Sequence, residues 1–383
     1  MRRIIFLLVI VFLLWWIDPA WAAAYQAGDA NGDSVVDIGD VVYEINYLFR
    51  SGPSPVFYEC GDPTGDCVIN VGDVVYLINY LFKAGTTPQI VECGWSEPVN
   101  LGSPINSTRG DGSISFSFNF KKLVLVSDRT GTHGDEDIWY IVRDSVSQAW
   151  SQPINCGNNI NTDIRDPYPC ISGDGNKIYF LSWNRPGGYG GWDIWVSSWD
   201  SSAGIWGVPE NLGANINSGG VWTPFVTLDD TKLYFSSTRY PGGIFVSERS
   251  GGDWGVPVWL GPNVNMYFNE EDPSVTVDNQ TLYFVRWDLE DCGEGLPHIW
   301  VSYWTGTEWG PSYMLPSGIN YPCAGASDPW ITPDGSKLYF SAGIRPGDMG
   351  LGDIWMSERI PVEKGKRFIN RDQKVIISSG TDR

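Results

Sequence analysis

Residues 328–340 read Asp328-Pro329-Trp330-Ile331-Thr332-Pro333-Asp334-Gly335-Ser336-Lys337-Leu338-Tyr339-Phe340, and Asp353-Ile354-Trp355 follows a glycine-rich connection. The stretch contains a Pro-led apolar strand, an Asp-Gly turn, a second strand and then a third, which is the pattern of a β-meander. Working outward, the same order recurs. Pro-led strands stand at Asp166-Pro167-Tyr168-Pro169, Thr223-Pro224-Phe225-Val226 and Asp272-Pro273-Ser274-Val275. Second strands stand at Lys177-Ile178-Tyr179-Phe180, Lys232-Leu233-Tyr234-Phe235 and Leu282-Tyr283-Phe284. Third strands carry Asp-Ile-Trp at 137–139 and 193–195, altered to Gly243-Ile244-Phe245 and His298-Ile299-Trp300. The first copy has Asn119-Phe120 at the turn that is Asp174-Gly175 and Asp334-Gly335 in two others.

A fourth element opens each unit. Trp-x-x-Pro, then Leu-Gly and Ile-Asn in most copies, begins at Trp95, Trp150, Trp206 and Trp254, shortened to Trp309-Gly310-Pro311 in the last copy. Repeats of 48 to 56 residues with four short strands are propeller blades. The strand at 95–101 has no partners before it, and the last unit lacks a fourth strand after Ser357. Placing the first strand in the last blade therefore closes a ring of five blades over 95–360 and removes the open edges. The repeats resemble the WD40-like Asp-Pro type of TolB-like propellers, best over 166–197 and 328–357. That type often has six blades, so the number five rests on the copies counted here.

A second duplication precedes the ring. Asp29-Ala30-Asn31-Gly32-Asp33-Ser34-Val35-Val36-Asp37-Ile38-Gly39-Asp40 aligns with Asp62-Pro63-Thr64-Gly65-Asp66-Cys67-Val68-Ile69-Asn70-Val71-Gly72-Asp73 at an offset of 33 residues. Oxygens at loop positions 1, 3, 5, 9 and 12 with a carbonyl at 7 are what a calcium ion takes. The predicted ligands are Asp29, Asn31, Asp33, the carbonyl of Val35, Asp37 and Asp40. In the second loop they are Asp62, Thr64, Asp66, the carbonyl of Val68, Asn70 and Asp73. Two Ca2+ ions are expected, with weaker binding in the second loop, which has three carboxylates against four. Val42, Ile45, Leu48 and Phe49, and again Val75, Ile78, Leu81 and Phe82, fall at helical spacing after the loops and are read as one shared core. Gly52 and Gly85 are placed at the helix C-termini.

Residues 27–92 resemble the type I dockerins, small all-α, EF-hand-type calcium modules that plug proteins into cohesin-bearing scaffolds. The resemblance implies a cohesin-like partner and a place in extracellular polysaccharide degradation. Two departures are visible: Ser34 and Cys67 stand where a loop glycine is usual, and Ile38-Gly39 and Val71-Gly72 stand where hydroxyl residues often meet a cohesin.

Bulk properties frame both halves. Met1-Arg2-Arg3, an apolar run over 4–17 and Ala20-Trp21-Ala22 form an export signal over 1–22, cleaved near Ala22. No later segment is long and apolar enough to span a bilayer. A secreted or cell-surface bacterial protein is expected. Twenty Trp, 18 Tyr and 45 Gly favour strands and tight turns. A formal charge of −20 argues against nucleic acid. His133 and His298, the two histidines, are read as surface or structural residues. Seven cysteines in an exported chain are disulfide candidates, with Cys60–Cys93 the favoured clasp. The tail at 361–383 is placed outside the ring.

No hydrolase elbow or zinc motif occurs. The acids of the Asp-Pro and Asp-Ile-Trp positions (Asp137, Asp166, Asp193, Asp272, Asp328, Asp353) recur with Arg129, Arg185, Arg239 and Arg345, which marks them as scaffold. Glu270, Glu271 and Asp272 form the least symmetric acidic cluster and are the catalytic candidates if the ring is an enzyme. Trp183, Tyr189, Trp192, Trp199, Trp222, Tyr240, Trp287 and Tyr303 are candidate ligand-stacking residues. The sequence thus favours a calcium-ordered docking module carrying a non-catalytic propeller that binds polysaccharide or protein. Its rivals are a propeller glycoside hydrolase and a purely structural surface protein.

Overall fold

The computed structural model describes residues 26–50, 55, 58–67, 69–88, 93–267, 269–288, 295–343 and 345–361. The export signal, Gly52, the Val68 carbonyl, Cys292 and the tail beyond 361 lie outside them.

The chain is mainly β, in five antiparallel sheets. Blade 1 comprises Asp111–Phe116, Lys122–Ser127, Asp137–Val142 and Ile154–Asn155. Blade 2 runs from Cys170–Ile171 through Lys177–Trp183 and Trp192–Asp200 to Ile205–Trp206 and Glu210–Asn211. Blade 3 has Val221–Val226, Lys232–Ser237, Gly243–Ser250, Asp253–Trp254 and Val258–Trp259. Blade 4 has Glu270–Val275, Thr281–Asp288, Leu296–Tyr303 and Tyr313–Met314. Blade 5 takes Ala326–Ile331, Lys337–Ala342 and Asp353–Pro361, and is completed by Cys93–Trp95 and Val99–Asn100 from the start of the ring. Gly94 opposite Ile360 and Val99 opposite Met356 close the circle as expected.

The second strand of each blade is not half-exposed. Leu123, Val124 and Leu125, like Ile178, Tyr179 and Phe180, are all shielded, because each blade is covered by neighbours on both faces. Phe180, Phe235, Phe284 and Phe340 occupy one position of successive blades, each burial contributing about 2–3 kcal/mol.

The Ile-Asn of the repeat has a specific task. In every blade the Asn carboxamide pairs with both the N–H and the C=O of the central Ile of the third strand: Asn161 with Ile138, Asn217 with Ile194, Asn265 with Ile244, Asn320 with Ile299. Asn106 does the same to Ile354 across the closing seam, at 2.9 and 3.0 Å. The side chain thus imitates a strand edge and satisfies backbone groups that would otherwise be orphaned.

Before the ring, α1 (Ile38–Arg50) and α2 (Val71–Lys83) pack together through Val41, Val74 and Leu77, flanked by Val36, Ile45, Leu48, Ile78 and Leu81. Val42, Phe49, Val75 and Phe82, expected in this core, point outward instead. With only two helices to bury against, the apolar stripe is wider than the contact it covers. The left-handed residue ending α2 is Ala84 at φ 52°, not Gly85. Gly85 is needed for a different reason: a Cβ there would lie 2.8 Å from the Asn79 carbonyl carbon. The clasp is Cys67–Cys93, with Cα atoms 5.7 Å apart, and Cys60 remains a buried thiol. Position 6 of the second loop is therefore bonded to the first residue of the strand that closes the propeller.

Candidate metal centre and axial channel

Both acidic loops wind their backbone round the carboxylates at positions 1 and 12. Asp29 accepts from the N–H groups of Asp33 and Ser34, and Asp62 from those of Gly65, Asp66 and Cys67. Asp40 accepts from Asn31 and Asp37, and Asp73 from Thr64 and Asn70. Ser34 and Cys67 take the left-handed conformation, φ 70° and 67°, that the missing glycine would have taken without strain.

Part of this pattern has a local cause. Asn70 and Asp73 form a capping box at the start of α2, so positions 9 and 12 would favour oxygen-bearing side chains even without an ion. What capping leaves unexplained is Glu44. It lies on α1 where the second copy has Leu77, is fully buried, and neither carboxylate oxygen has a hydrogen-bond partner. Burial, then the charges of Asp73, Asp40 and Asp62, push its carboxyl up to about 9. Burial likewise pushes Asp62 up to about 6 and raises Asp40 and Asp73. Glu44 and the position-1 and position-12 carboxylates thus concentrate negative charge in one place. The all-oxygen donor set suits a hard cation such as Ca2+. Asp62 also lies beside Cys67 and Cys93, but those sulfurs are joined in the disulfide and are not available as thiolate ligands.

On the propeller axis, the inner strand of each blade contributes one left-handed residue: Ser113, Tyr168, Thr223, Asp272 and Asp328, with φ between 46° and 57°. The pairing register of the inner strands slips at this point in blades 1, 3, 4 and 5, as a bulge does. These five residues line a common space. The alignment of Asp166 with Asp272 and Asp328 is off by two. Cys170 pairs with Tyr179 as Ser274 pairs with Tyr283, so Tyr168-Pro169 matches Asp272-Pro273. Asp166 instead matches Asp111 and Glu270. Blade 2 carries two prolines two residues apart, Pro167 and Pro169, and sequence spacing alone allows either to lead the strand.

The correction divides the acids. Glu270 pairs with Arg286 at 3.1 Å and accepts from the N–H groups of Met266 and Tyr267. Asp111 with Arg129 and Asp166 with Arg185 repeat that ion pair. Arg129, Arg185, Arg286 and Arg345 also lie over Trp139, Trp195, Trp300 and Trp355 of their own blades. Glu270 thus repeats an ion pair found in blades 1 and 2, which sets it apart from Glu271 and Asp272. Asp137, Asp193 and Asp353 each hold a loop N–H and an Asn side chain from the outer strand, the same arrangement three times. Asp272 and Asp328, in adjacent blades, are the pair that breaks the symmetry, with Glu271 close by. Burial raises Glu271, and Asp328 adds to it.

His133 sits 3.2 Å from Asp137 at the surface, and His298 is buried where three other blades carry Asp. Trp183, Tyr189, Tyr240, Trp287 and Tyr303 are exposed, whereas Trp192, Trp199 and Trp222 pack against the core. Among the described residues no helix is long and apolar enough to cross a membrane.

No family model and no curated protein matches the chain. Among solved structures it is similar to TolB from Acinetobacter baumannii, at 15% identity and TM-score 0.40 over 67% of this chain and 55% of that one. It is also similar to the periplasmic gluconolactonase of Pseudomonas aeruginosa, at 16% identity and TM-score 0.37 over 66% and 72%. A third is hydrazine synthase of Kuenenia stuttgartiensis, at 11% and 0.37 over 65% and 60%. The chain spans little more than half the length of that TolB. Likenesses at this level carry no argument about activity, and the five-bladed propeller stands on its own strand pairing.

Proposed function

We propose that this is an exported protein in which a dockerin-like N-terminal module, ordered by two Ca2+ ions, docks onto a cohesin-like partner. The propeller then presents a non-catalytic surface for polysaccharide or protein within an extracellular polysaccharide-degrading assembly. Asp29, Asn31, Asp33, Val35, Asp37 and Asp40 would hold one ion. Asp62, Thr64, Asp66, Val68, Asn70 and Asp73 would hold the other. The ion would supply the positive charge that the inward-turned carboxylates and Glu44 lack.

The observation that carries the docking reading is a duplicated exposed apolar face. Ile38, Val42 and Phe49 on α1 are 53, 51 and 66% exposed, and their copies Val71, Val75 and Phe82 on α2 are 56, 51 and 65% exposed. A free surface helix has no need of a solvated Phe at the same place twice, whereas a partner approached from either of two related faces would use both. Calorimetric titration of the full chain with a panel of cohesin modules tests it. Binding should require calcium and should vanish in Phe49→Asp/Phe82→Asp. Calcium-independent binding, or none to any cohesin, removes the docking role.

The glycosidase reading retains Glu271, Asp272 and Asp328 at the channel. It predicts release of reducing ends from a glycan panel, abolished by Glu271→Gln.

A further inference from the structure

The tryptophan that opens each Trp-x-x-Pro repeat lies under a cation in four blades. Arg143 stands over Trp150, Lys122 over Trp206, Arg249 over Trp254 and Arg359 over Trp95, between 4.2 and 5.3 Å from the ring centres. Among the described residues no cation stands over the fifth, Trp309, or over its neighbour Trp304. Yet Trp304 and Trp309 reproduce the edge-on pair Trp199–Trp206 of blade 2, with ring centres 5.5 Å apart against 5.1 Å. In blade 2 that pair receives the ammonium of Lys122 from blade 1, 4.7 and 4.9 Å from the two rings.

Lys232 opens the second strand of blade 3 as Lys122 opens that of blade 1, so it is the residue placed to do the same for blade 4. It turns away instead and lies 3.1 Å from Glu248 of its own blade. One difference in the neighbouring turn accounts for this. Between blades 2 and 3, Lys177 crosses to Asp230 at 2.6 Å, and blade 4 carries neutral Asn279 at that turn position, each residue donating its N–H to the threonine carbonyl three residues before it. With no charge to cross to, the lysine pairs within its blade, and an open cleft of about 570 Å³ remains between blades 3 and 4. That volume is in the range of small-molecule sites. Its walls carry the Trp304–Trp309 pair, the amides Asn279 and Gln280, and the acids Asp278 and Glu308, neither of them in an ion pair among the described residues.

We propose that this cleft binds an amino sugar with a free ammonium group, such as a partly deacetylated glycan carries. The inference rests on the polysaccharide reading of the propeller and names its ligand class. Blade 2 shows the chemistry, because the same tryptophan pair already takes an ammonium there from the protein itself, and Trp is the best aromatic partner for a cation. The unpaired acids select a positive ligand over a neutral one. A bare ammonium leaves most of the cleft empty, whereas a pyranose lays its CH face on an indole and bonds its hydroxyls to the amides.

Calorimetric titration of the full chain with a glucosamine tetramer, its N-acetylated form, a glucose tetramer and a lysine-rich peptide tests this. The glucosamine tetramer should bind about tenfold more tightly than the two neutral sugars, and Trp304→Ala should remove that difference. If Trp304→Ala does not fold, Glu308→Gln at the exposed rim takes its place, with an expected loss of about threefold. Equal affinity for the charged and neutral tetramers overturns the ammonium and leaves the polysaccharide reading standing. Binding that neither variant weakens overturns the cleft, again without touching that reading. Binding of the peptide alone overturns the amino sugar and turns the propeller reading to a protein partner, and binding of no probe sinks both.

Discussion

Asn161 and Glu44 are both shielded polar side chains in repeated elements, yet one is fully satisfied and the other has no partner. The Asn position recurs in all five blades, each time closing two backbone hydrogen bonds. The Glu position occurs once and breaks the copy it belongs to, facing three other acids. The repeated Asn side chains of the ring thus settle their polar groups internally, as scaffold does. The loop–helix pair leaves the Glu44 carboxyl without a partner among those acids. Among the described residues the repeated Asp137, Asp193 and Asp353 also each keep one oxygen without a partner, so Glu44 stands apart by occurring once and by facing three other acids.

The difference can be broken most forcefully with chelator. At a thousand-fold excess over Kd, calcium should stabilise the loop–helix pair by roughly 4 kcal/mol per site, read as slowed amide exchange over 38–50 and 71–83. The outer strands of the ring should not respond, and equal protection of both regions in chelator would erase the contrast. Next in size is the tether between the regions. Cys93→Ser opens a loop of sequence separation 26 and should cost roughly 3 kcal/mol in thermal unfolding, lowering metal affinity in the second loop but not the first.

Asn161→Ala should cost about 2 kcal/mol by stranding the N–H and C=O of Ile138, and Asn106→Ala should cost a similar amount at the seam. A loss below about 0.5 kcal/mol at both would show that the amide pairs do not stabilise the ring.

Smallest is Glu44→Leu, which copies Leu77. With chelator present at pH 8 it should stabilise the helix pair by about 1 kcal/mol. The sign follows from the raised carboxyl. Folded Glu44 keeps its proton up to about 9, so its contribution is whole below its ordinary value near 4.5 and is lost as pH rises through that window. The chelated wild type should therefore weaken between pH 5 and pH 8, and Glu44→Leu should flatten that decline.

Five blades, the strand order and the closing of the ring by residues near Trp95 were legible because a meander repeats its turn and strand chemistry in order, and counting copies needs no coordinates. The loop duplication was legible for the same reason, and so was the strain at Ser34 and Cys67. Glu44 left a readable trace, a carboxylate where the copy has leucine. The outward turn of Phe49 and Phe82 did not, because helical spacing names a face without saying what covers it. Nor could spacing show that Asp272 and Asp328 meet on the axis and Asp166 does not, or that Cys67 rather than Cys60 reaches Cys93. Local sequence dictates what each strand, turn and loop prefers. Which side chains become neighbours depends on how the blades are set round the axis and how the helices are rolled, and only packing of the whole chain decides that.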